Sequence, residues 1–448
     1  MKILFISLGC DKNLVDSEVM LGLLTKNGYT LTDDETQADV IVINTCCFIH
    51  DAKEESINTI LEMAQYKEQN LKALVVAGCL AERYKDEILK EIPEIDAVLG
   101  TTSYDSIVEA VNMALAENAG EHFEHYESID YLPDNSEVER VVTTGNHMAY
   151  LKIAEGCDKR CSYCIIPKIR GHFRSVPMEE LLNEAKRLAS EGVKELVLVA
   201  QETTLYGKDL TGEKQLPLLL HELCKIEGIE WIRLLYCYPE EITDELIEAI
   251  KTEEKVCNYI DMPIQHSENR ILQRMGRRTS REDLVAVIKK LRQEIPDSTI
   301  RTTLITGFPG ESEEDHEGLM NFVEECKFDR LGVFTYSPEE DTLAATFEDQ
   351  IDEEVKEARR DELMSLQQEI SYEHTQQLVG KTIKVMVEGY LFEDDIYVGR
   401  SYMDAPKVDG CVFINSPEEL MTGDFVYVKI TQGREYDVIG EVDYEFTK

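Results

Sequence analysis

Three cysteines that lie within eight residues of one another are the strongest chemical signal in the chain. Cys157, Cys161 and Cys164 occur in GCDKRCSYC, with CxxxCxxC spacing. A loop with this spacing can wrap three thiolates around one centre and leave a fourth coordination position open for a substrate. A structural zinc more usually completes its set with a nearby Cys or His, and His172 is the only histidine that follows closely. The spacing therefore predicts an open metal or cluster site, with a structural zinc or three unliganded thiols as the less favoured alternatives.

A second set of cysteines is dispersed along the amino-terminal part of the chain. Cys10, Cys46 and Cys79 each follow an apolar run, ending in ISLG, VINT and VVAG respectively. If these runs are parallel strands, their carboxyl ends meet at one edge of a sheet, where ligands bind. Gly9 and Gly78 precede two of the cysteines and allow tight turns there. The placement predicts a second site built from three strand ends.

The elements that position this second set form a regular alternation of strands and helices. The pattern predicts an open, doubly wound α/β domain over residues 1–117. The predicted strands are KILFISL, DVIVINT, LKALVVAG and Ala97–Leu99, and the predicted helices are Val15–Asn27, Ala52–Lys67, Ala81–Glu91 and Ser103–Glu117.

Two further domains are predicted beyond a polar linker at residues 118–147. Six βα units over residues 148–377 predict a partial (βα)6 barrel, whose active residues should lie at the carboxyl ends of its strands. Residues 378–448 alternate short strands with Gly, Asp and Pro turns and predict a small antiparallel β-barrel. The strands predicted for the larger barrel are Ala149–Ala154, Glu195–Ala200, Trp231–Tyr236, Tyr259–Met262, Thr299–Ile305 and Arg330–Tyr336.

Length, composition and charge limit the function further. A chain of 448 residues has room for about three domains. No apolar run approaches the roughly 20 residues that span a bilayer, and the first residues lack a signal-peptide cleavage site, so we expect a cytoplasmic protein with no membrane partner. The formal net charge of −43 repels a phosphate backbone and attracts basic partners.

Motifs in all three predicted domains resemble the methylthiotransferases, a family of radical S-adenosylmethionine (SAM) enzymes. The motifs GCDKNLVDSE, INTCCFI and VAGCLAERY resemble the amino-terminal signature of this family. The motifs EGCDKRCSYCIIPKIRG, QETTLYG, DMPIQH and TLITGFPGE resemble its radical SAM core. The carboxyl-terminal module is similar to the TRAM domain that ends these enzymes.

The resemblance implies two 4Fe–4S clusters and SAM as cofactors. By this resemblance, the clustered cysteines hold the radical-generating cluster and the dispersed cysteines hold an auxiliary cluster that takes part in sulfur transfer. Cleavage of SAM yields a 5′-deoxyadenosyl radical that abstracts hydrogen from an unactivated carbon, and a methylthio group is joined there. A second SAM supplies the methyl group.

Other positions receive weaker predicted roles at the SAM site. Tyr163 is expected near the adenine, and Gln201 and the loop from Gly307 to Glu311 are expected to contact SAM; packing or turn roles are equally compatible with the pattern. Arg170 and Arg174 are candidate partners of the carboxylate of SAM or of the substrate, with a surface role as the alternative.

Two observations favour one branch of the resembled family. Lys12 after Asp11, and the motif DMPIQH, resemble the branch that modifies an aspartate of ribosomal protein S twelve, whereas the tRNA branch typically has Gln-Met and Gln-Ser there. The region from Leu378 to Lys448 contains 14 acidic and seven basic residues. An acidic module suits a basic ribosomal protein better than tRNA.

We therefore expect methylthio transfer to the β-carbon of an aspartate in ribosomal protein S twelve, free or within the small ribosomal subunit, supported by an electron donor. A tRNA-adenosine methylthiotransferase is the alternative with the same chemistry. A non-catalytic iron–sulfur electron-transfer protein is the alternative of another class, and the open three-cysteine sites argue against it.

Overall fold

The computed structural model describes residues 1–116 and 122–446. Its amino-terminal region is a parallel sheet flanked by helices, as predicted. The predicted boundary at residues 117 and 118, and the end of the helix predicted over Ser103–Glu117, lie outside the described residues. The elements are β1 (Lys2–Ser7), α1 (Asp11–Lys26), β2 (Thr30–Leu31), β3 (Val40–Thr45), α2 (His50–Ala64), β4 (Ala73–Gly78), α3 (Cys79–Arg83), α4 (Ile88–Glu91), β5 (Ala97–Leu99), α5 (Ile107–Leu115) and β6 (Phe123–His125).

This amino-terminal sheet is doubly wound. Its six strands lie in the order β2-β1-β3-β4-β5-β6, all parallel. Helices α1 and α5 pack on one face, and α2, α3 and α4 pack on the other. The strand order reverses at β1 and β3, so a crevice opens at the carboxyl ends of these two strands. The sheet thus places a binding edge beside the loops that follow β1 and β3.

The helix predicted over Ala81–Glu91 is instead two short helices, α3 and α4. Helix α3 ends before Tyr84, whose hydroxyl donates to Glu340 at 3.1 Å, and Arg83 pairs with Glu339 at 3.0 Å. These contacts reach a distant part of the chain and override the local helical preference.

The central region is a second parallel sheet, of six strands in the order β14-β13-β12-β11-β10-β7. Strands β7 and β14 are its two edges, so the barrel is partial. In chain order the elements are β7 (Met148–Lys152), β8 (Ala154–Glu155), α6 (Ile166–Ile169), β9 (Arg174–Ser175), α7 (Met178–Ser190), β10 (Glu195–Val199), α8 (Lys208–Thr211), α9 (Leu216–Cys224), β11 (Trp231–Leu234), α10 (Asp244–Thr252), β12 (Val256–Asp261), α11 (Asn269–Arg274), α12 (Arg281–Glu294), β13 (Thr299–Thr306), α13 (Glu313–Cys326), β14 (Arg330–Thr335) and α14 (Glu353–Leu378).

The carboxyl-terminal region is a closed five-stranded β-barrel, as predicted. Its strands are β15 (Thr382–Leu391), β16 (Ile396–Ser401), β17 (Val412–Asn415), β18 (Phe425–Gly433) and β19 (Val438–Val442). They close in the order β15-β16-β17-β19-β18. Strands β17 and β19 pair parallel, which differs from the antiparallel prediction, and the other neighbouring strands pair antiparallel. No helix in the described part of the chain is long and apolar enough to cross a membrane.

The inner face of the partial barrel is covered by both neighbouring domains. Val15 of α1 joins one buried cluster with Val197 and Val199 of β10. The small β-barrel contributes Met386 to the same cluster, and its Arg400 pairs with Glu195, the first residue of β10, at 2.6 Å. The small barrel therefore reaches the amino end of the central sheet, and the beginning of α1 lies toward its carboxyl end.

Candidate functional site

The clustered cysteines lie in the loop between β8 and β9. These two short strands pair antiparallel and close the loop at its base. The Cys157 amide donates to the Gly171 carbonyl at 3.1 Å. Gly156 has φ +74°, and a Cβ atom there would lie 2.1 Å from the carbonyl oxygen of His172. Only glycine fits this position, so the loop is held in one shape directly before its first thiol.

The three thiols of this loop are close enough to influence one another. Burial raises the pKa of Cys157 to about 11, and the neighbouring Cys161 also raises it. Burial likewise raises the pKa of Cys164, with further contributions from Cys161 and Cys157. Three such thiols do not ionise together unless a cationic centre compensates their charge. The donor set therefore fits a bound iron–sulfur cluster.

The dispersed cysteines meet at the carboxyl edge of the amino-terminal sheet. Cys10 is the N-cap of α1, Cys46 directly follows β3, and Cys79 directly follows β4. Gly9 has φ +87°, and a Cβ atom there would lie 2.6 Å from the Cβ of Cys46. The missing side chain of Gly9 thus allows the loops after β1 and β3 to approach closely.

The electrostatics of this second set resemble those of the first. Burial raises the pKa of Cys46 to about 12, and Cys79 and Cys10 also raise it. The 16-residue helix α1 begins directly after Cys10, so the positive end of its dipole faces the thiols. This surrounding favours a centre that carries negative charge, as a thiolate-bound cluster does.

A cluster and a single metal ion require different distances between their sulfur ligands. Thiolates bound to one tetrahedral zinc lie about 4 Å apart. In a cubane cluster each thiolate binds a different iron, so the sulfur atoms are farther apart. Within residues 1–116 and 122–446, no three His, Cys, Asp or Glu side chains are arranged to hold one ion.

The two predicted arginines are engaged by the protein itself. Arg170 is buried where the amino-terminal and central regions meet, and it donates to Glu155 at 2.9 Å and to the Asn13 side chain at 3.1 Å. It also contacts the thiol of Cys79, whose pKa is raised by burial and partly lowered again by Arg170. Arg174 donates mainly to backbone carbonyl oxygens. Arg170 therefore links Cys79 to Glu155, which lies two residues before Cys157, and does not offer a free guanidinium.

The residues predicted to contact SAM lie after strands of the central sheet or in the cysteine loop. The Tyr163 ring packs edge-on against Phe308, at 6.5 Å between centroids. Gln201 follows β10; its amide donates to the Glu155 carboxylate of β8 at 2.8 Å, and its oxygen is buried without a partner in the described part of the chain. Glu311 accepts from the Gly307 amide at 2.8 Å, which fixes the turn after β13. Their roles toward SAM stay predictions.

Sequence reasoning missed one buried cation in this region. Arg277 lies over the ring of Tyr238, with 4.5 Å between the guanidinium carbon and the ring centroid. Its Nε and Nη1 atoms are buried without a partner among the described residues, and Cys161 and Tyr163 lie nearby. Its motif, RMGRRT, has no spacing that indicates a ligand, so only the fold reveals this position.

Comparisons with known proteins agree with this architecture. The family model described as "Uncharacterized protein family UPF0004" matches residues 2–100, the Radical SAM superfamily matches residues 151–323 and the TRAM domain matches residues 379–442. The radical SAM methyltransferase TsrM from Kitasatospora setae, solved with cobalamin and a 4Fe–4S cluster bound, aligns with a TM-score of 0.56 at 13% identity, covering 85% of this chain and 78% of that one. At this identity the likeness shows the fold alone.

The fold and the matched domains define a radical SAM protein with an amino-terminal α/β domain and a carboxyl-terminal TRAM barrel. Two relatives are named "Ribosomal protein uS12 methylthiotransferase RimO". The one from Lachnoclostridium phytofermentans is 62% identical over 99% of this chain and 100% of its own length, and the one from Acetivibrio thermocellus is 52% identical over 100% and 99%. The chain therefore belongs to the RimO family of methylthiotransferases.

Proposed function

We propose that this chain adds a methylthio group to the β-carbon of an aspartate in ribosomal protein uS12. Membership of the RimO family supports the reaction and the substrate. The observation that carries the proposal is the pair of contacts made by Arg170, with Cys79 of one cysteine set and with Glu155, two residues before the first cysteine of the other set. A sulfur-transfer reaction initiated by a radical needs its two centres to reach one substrate carbon.

Each cysteine set is proposed to hold one 4Fe–4S cluster. Cys157, Cys161 and Cys164 would bind the radical SAM cluster. Cys10, Cys46 and Cys79 would bind the auxiliary cluster. When bound, the first cluster and SAM supply a 5′-deoxyadenosyl radical, the second supplies a place for the sulfur that is transferred, and a second SAM supplies the methyl group. The chain itself holds these groups, excludes water and orients the substrate.

The side chains around the cysteine loop are proposed to bind SAM. Tyr163, Gln201, Gly307 and Glu311 would line its site, as predicted from sequence. Arg277 joins them because its unpartnered guanidinium nitrogens suit the carboxylate of SAM.

The acidic TRAM barrel is proposed to assist binding of uS12. Acidic residues outnumber basic ones by two to one from Leu378 to Lys448, and a ribosomal protein is basic because it binds RNA. Complementary charge raises the rate of encounter and helps to fix orientation. An external electron donor and a cytoplasmic location complete the proposal. The chain is proposed to divide into residues 1–117, 148–377 and 378–448, with a linker at 118–147 that also contributes strand β6 to the amino-terminal sheet. The substrate form, free uS12 or the small ribosomal subunit, belongs to the same proposal.

A substrate competition tests the proposed function. Anaerobic protein with SAM, sulfide and a strong reductant is offered uS12 and bulk tRNA together, and both products are analysed by mass spectrometry. We expect a methylthio gain on uS12 alone. A gain on tRNA alone would assign the chain to the tRNA reaction. Iron without any SAM cleavage would favour the electron-transfer alternative.

A further inference from the structure

Lys12 is a buried cation at the beginning of α1. Only 6% of the residue is exposed, and its Nζ lies 3.4 Å from the centroid of the Tyr236 ring. Among the described residues it forms no salt bridge. The carboxylate of the adjacent Asp11 places negative charge near Lys12 and accepts a hydrogen bond from the Tyr236 hydroxyl at 3.0 Å. A buried ammonium that packs on an aromatic ring and forms no salt bridge is costly unless an anion completes its site.

Lys12 lies where the amino-terminal and central domains meet. It is the second residue of α1, two positions after Cys10. Tyr236 lies just beyond the carboxyl end of β11, with φ +60°, a conformation that non-glycine residues seldom adopt. The Tyr236 amide donates to Asp261 at 2.9 Å, which fixes this conformation. Lys12 therefore lies between two edges: the carboxyl edge of the amino-terminal sheet, which carries Cys10, and the carboxyl edge of the partial barrel, where substrates bind.

The other buried cations around the cysteine sets either pair with carboxylates of the chain or lie near the set formed by Cys157, Cys161 and Cys164. Arg170 and Lys152 share Asp16 and Glu155. Lys159 pairs with Glu240 and Glu241. These networks leave no charge for a substrate. Arg277 lacks a carboxylate but lies beside Cys161 and Tyr163, on the side proposed for SAM.

We propose that Lys12 binds the carboxylate of the aspartate that is modified. This inference rests on the proposed function, because the carboxylate that Lys12 would bind belongs to the proposed substrate. The carboxylate is bonded directly to the β-carbon, so an ion pair with Lys12 would hold that carbon between the two cysteine sets.

The test compares aspartate and asparagine substrates with anaerobic, fully loaded enzyme. Mass spectrometry of the wild-type product first locates the modified residue of uS12, and a second uS12 carries asparagine at that position. Wild-type enzyme should favour the aspartate form, in kcat/KM and in binding affinity, by about 10- to 100-fold, the range for one charge-assisted contact. Lys12→Met and Lys12→Gln should reduce this preference to about threefold or less. Lys12→Arg should retain part of it.

A matched control and two further readouts keep the result interpretable. Lys26→Met removes an exposed lysine at the other end of the same helix and should leave the preference unchanged. Iron content and the affinity for labelled uS12 are measured on every variant, so loss of the auxiliary cluster is distinguished from loss of recognition. An unchanged aspartate preference in an iron-loaded Lys12→Met or Lys12→Gln variant overturns the inference. Failure of the wild-type enzyme to modify uS12 at all overturns the proposed function instead.

Discussion

The two cysteine sets are assembled by the chain in different ways. Cys157, Cys161 and Cys164 belong to one loop that is closed by a two-stranded sheet, so their proximity is fixed by eight residues of sequence. Cys10, Cys46 and Cys79 come from three separate loops, and only the pairing of β1, β3 and β4 brings them together. The first set is a local structure, whereas the second exists only when a whole domain has folded.

This difference separates two steps of the proposed reaction. In the proposal, the loop with Cys157, Cys161 and Cys164 holds the group that starts the chemistry. The sheet edge with Cys10, Cys46 and Cys79 holds the group that supplies sulfur. Arg170, with partners on both sides, connects them. Damage to the amino-terminal domain should therefore affect sulfur transfer while leaving radical generation intact.

Removal of the local set should have the largest effect. In the variant with Cys157, Cys161 and Cys164 all changed to Ala, we expect no 5′-deoxyadenosine and no transfer, with iron falling from about eight to about four per chain. Chromatography of the nucleoside product and an iron assay measure both. Cys224→Ala, which alters a half-buried cysteine outside both sets, should retain about eight irons. SAM cleavage by the triple variant would refute the assignment of this loop.

Removal of the dispersed set should abolish transfer but not SAM cleavage. With Cys10, Cys46 and Cys79 changed to Ala, we again expect about four irons per chain, because the local loop still folds. The measurement is 5′-deoxyadenosine formed against methylthio product formed in one reaction. Undiminished transfer, or the full number of irons, would contradict a second cluster at these residues.

Gly9→Ala should act selectively on the dispersed set. The new Cβ would lie 2.6 Å from the Cβ of Cys46, on a backbone at φ +87°. Gly28→Ala is a close control, since Gly28 has φ +85° but has open space around it. Both variants lose about 1 kcal/mol or more to backbone strain, but only Gly9→Ala should lose auxiliary iron. Equal iron loss in the two would show that strain, not crowding of Cys46, is responsible.

Glu195→Gln should lower the free energy of unfolding and should not affect one cysteine set more than the other. Glu195 begins β10, so it lies at the amino end of the central sheet, away from the carboxyl ends of its strands. Burial alone would raise its pKa, but Arg400 and Arg233 outweigh burial and lower it to about 2. The ion pair therefore stabilises the fold above the ordinary pKa of about 4.5, and this contribution is lost as the pH falls from there toward 2.

The expected loss at neutral pH is about 3 kcal/mol in the free energy of unfolding. Thermal unfolding followed by circular dichroism measures it. The difference between wild type and Glu195→Gln should shrink as the pH is lowered below about 4.5, and a difference independent of pH would contradict the assigned pKa.

The parts of the site that depend on local patterns were predictable from sequence. Strand ends followed by cysteines identified the dispersed set because parallel strands share an edge. The partners of Arg170 were not predictable, since Asn13 and Asp16 are far from it in sequence. The isolation of Lys12 also depends on the unusual backbone of Tyr236, which no local pattern indicates.

The central claim, a two-cluster uS12 methylthiotransferase, is tested most directly by counting iron and product on the same anaerobic sample. Wild-type protein with SAM, sulfide and reductant should contain about eight irons per chain and should add one methylthio group to uS12, detected by mass spectrometry. About four irons, or SAM cleavage with no sulfur gained by uS12, would contradict the account.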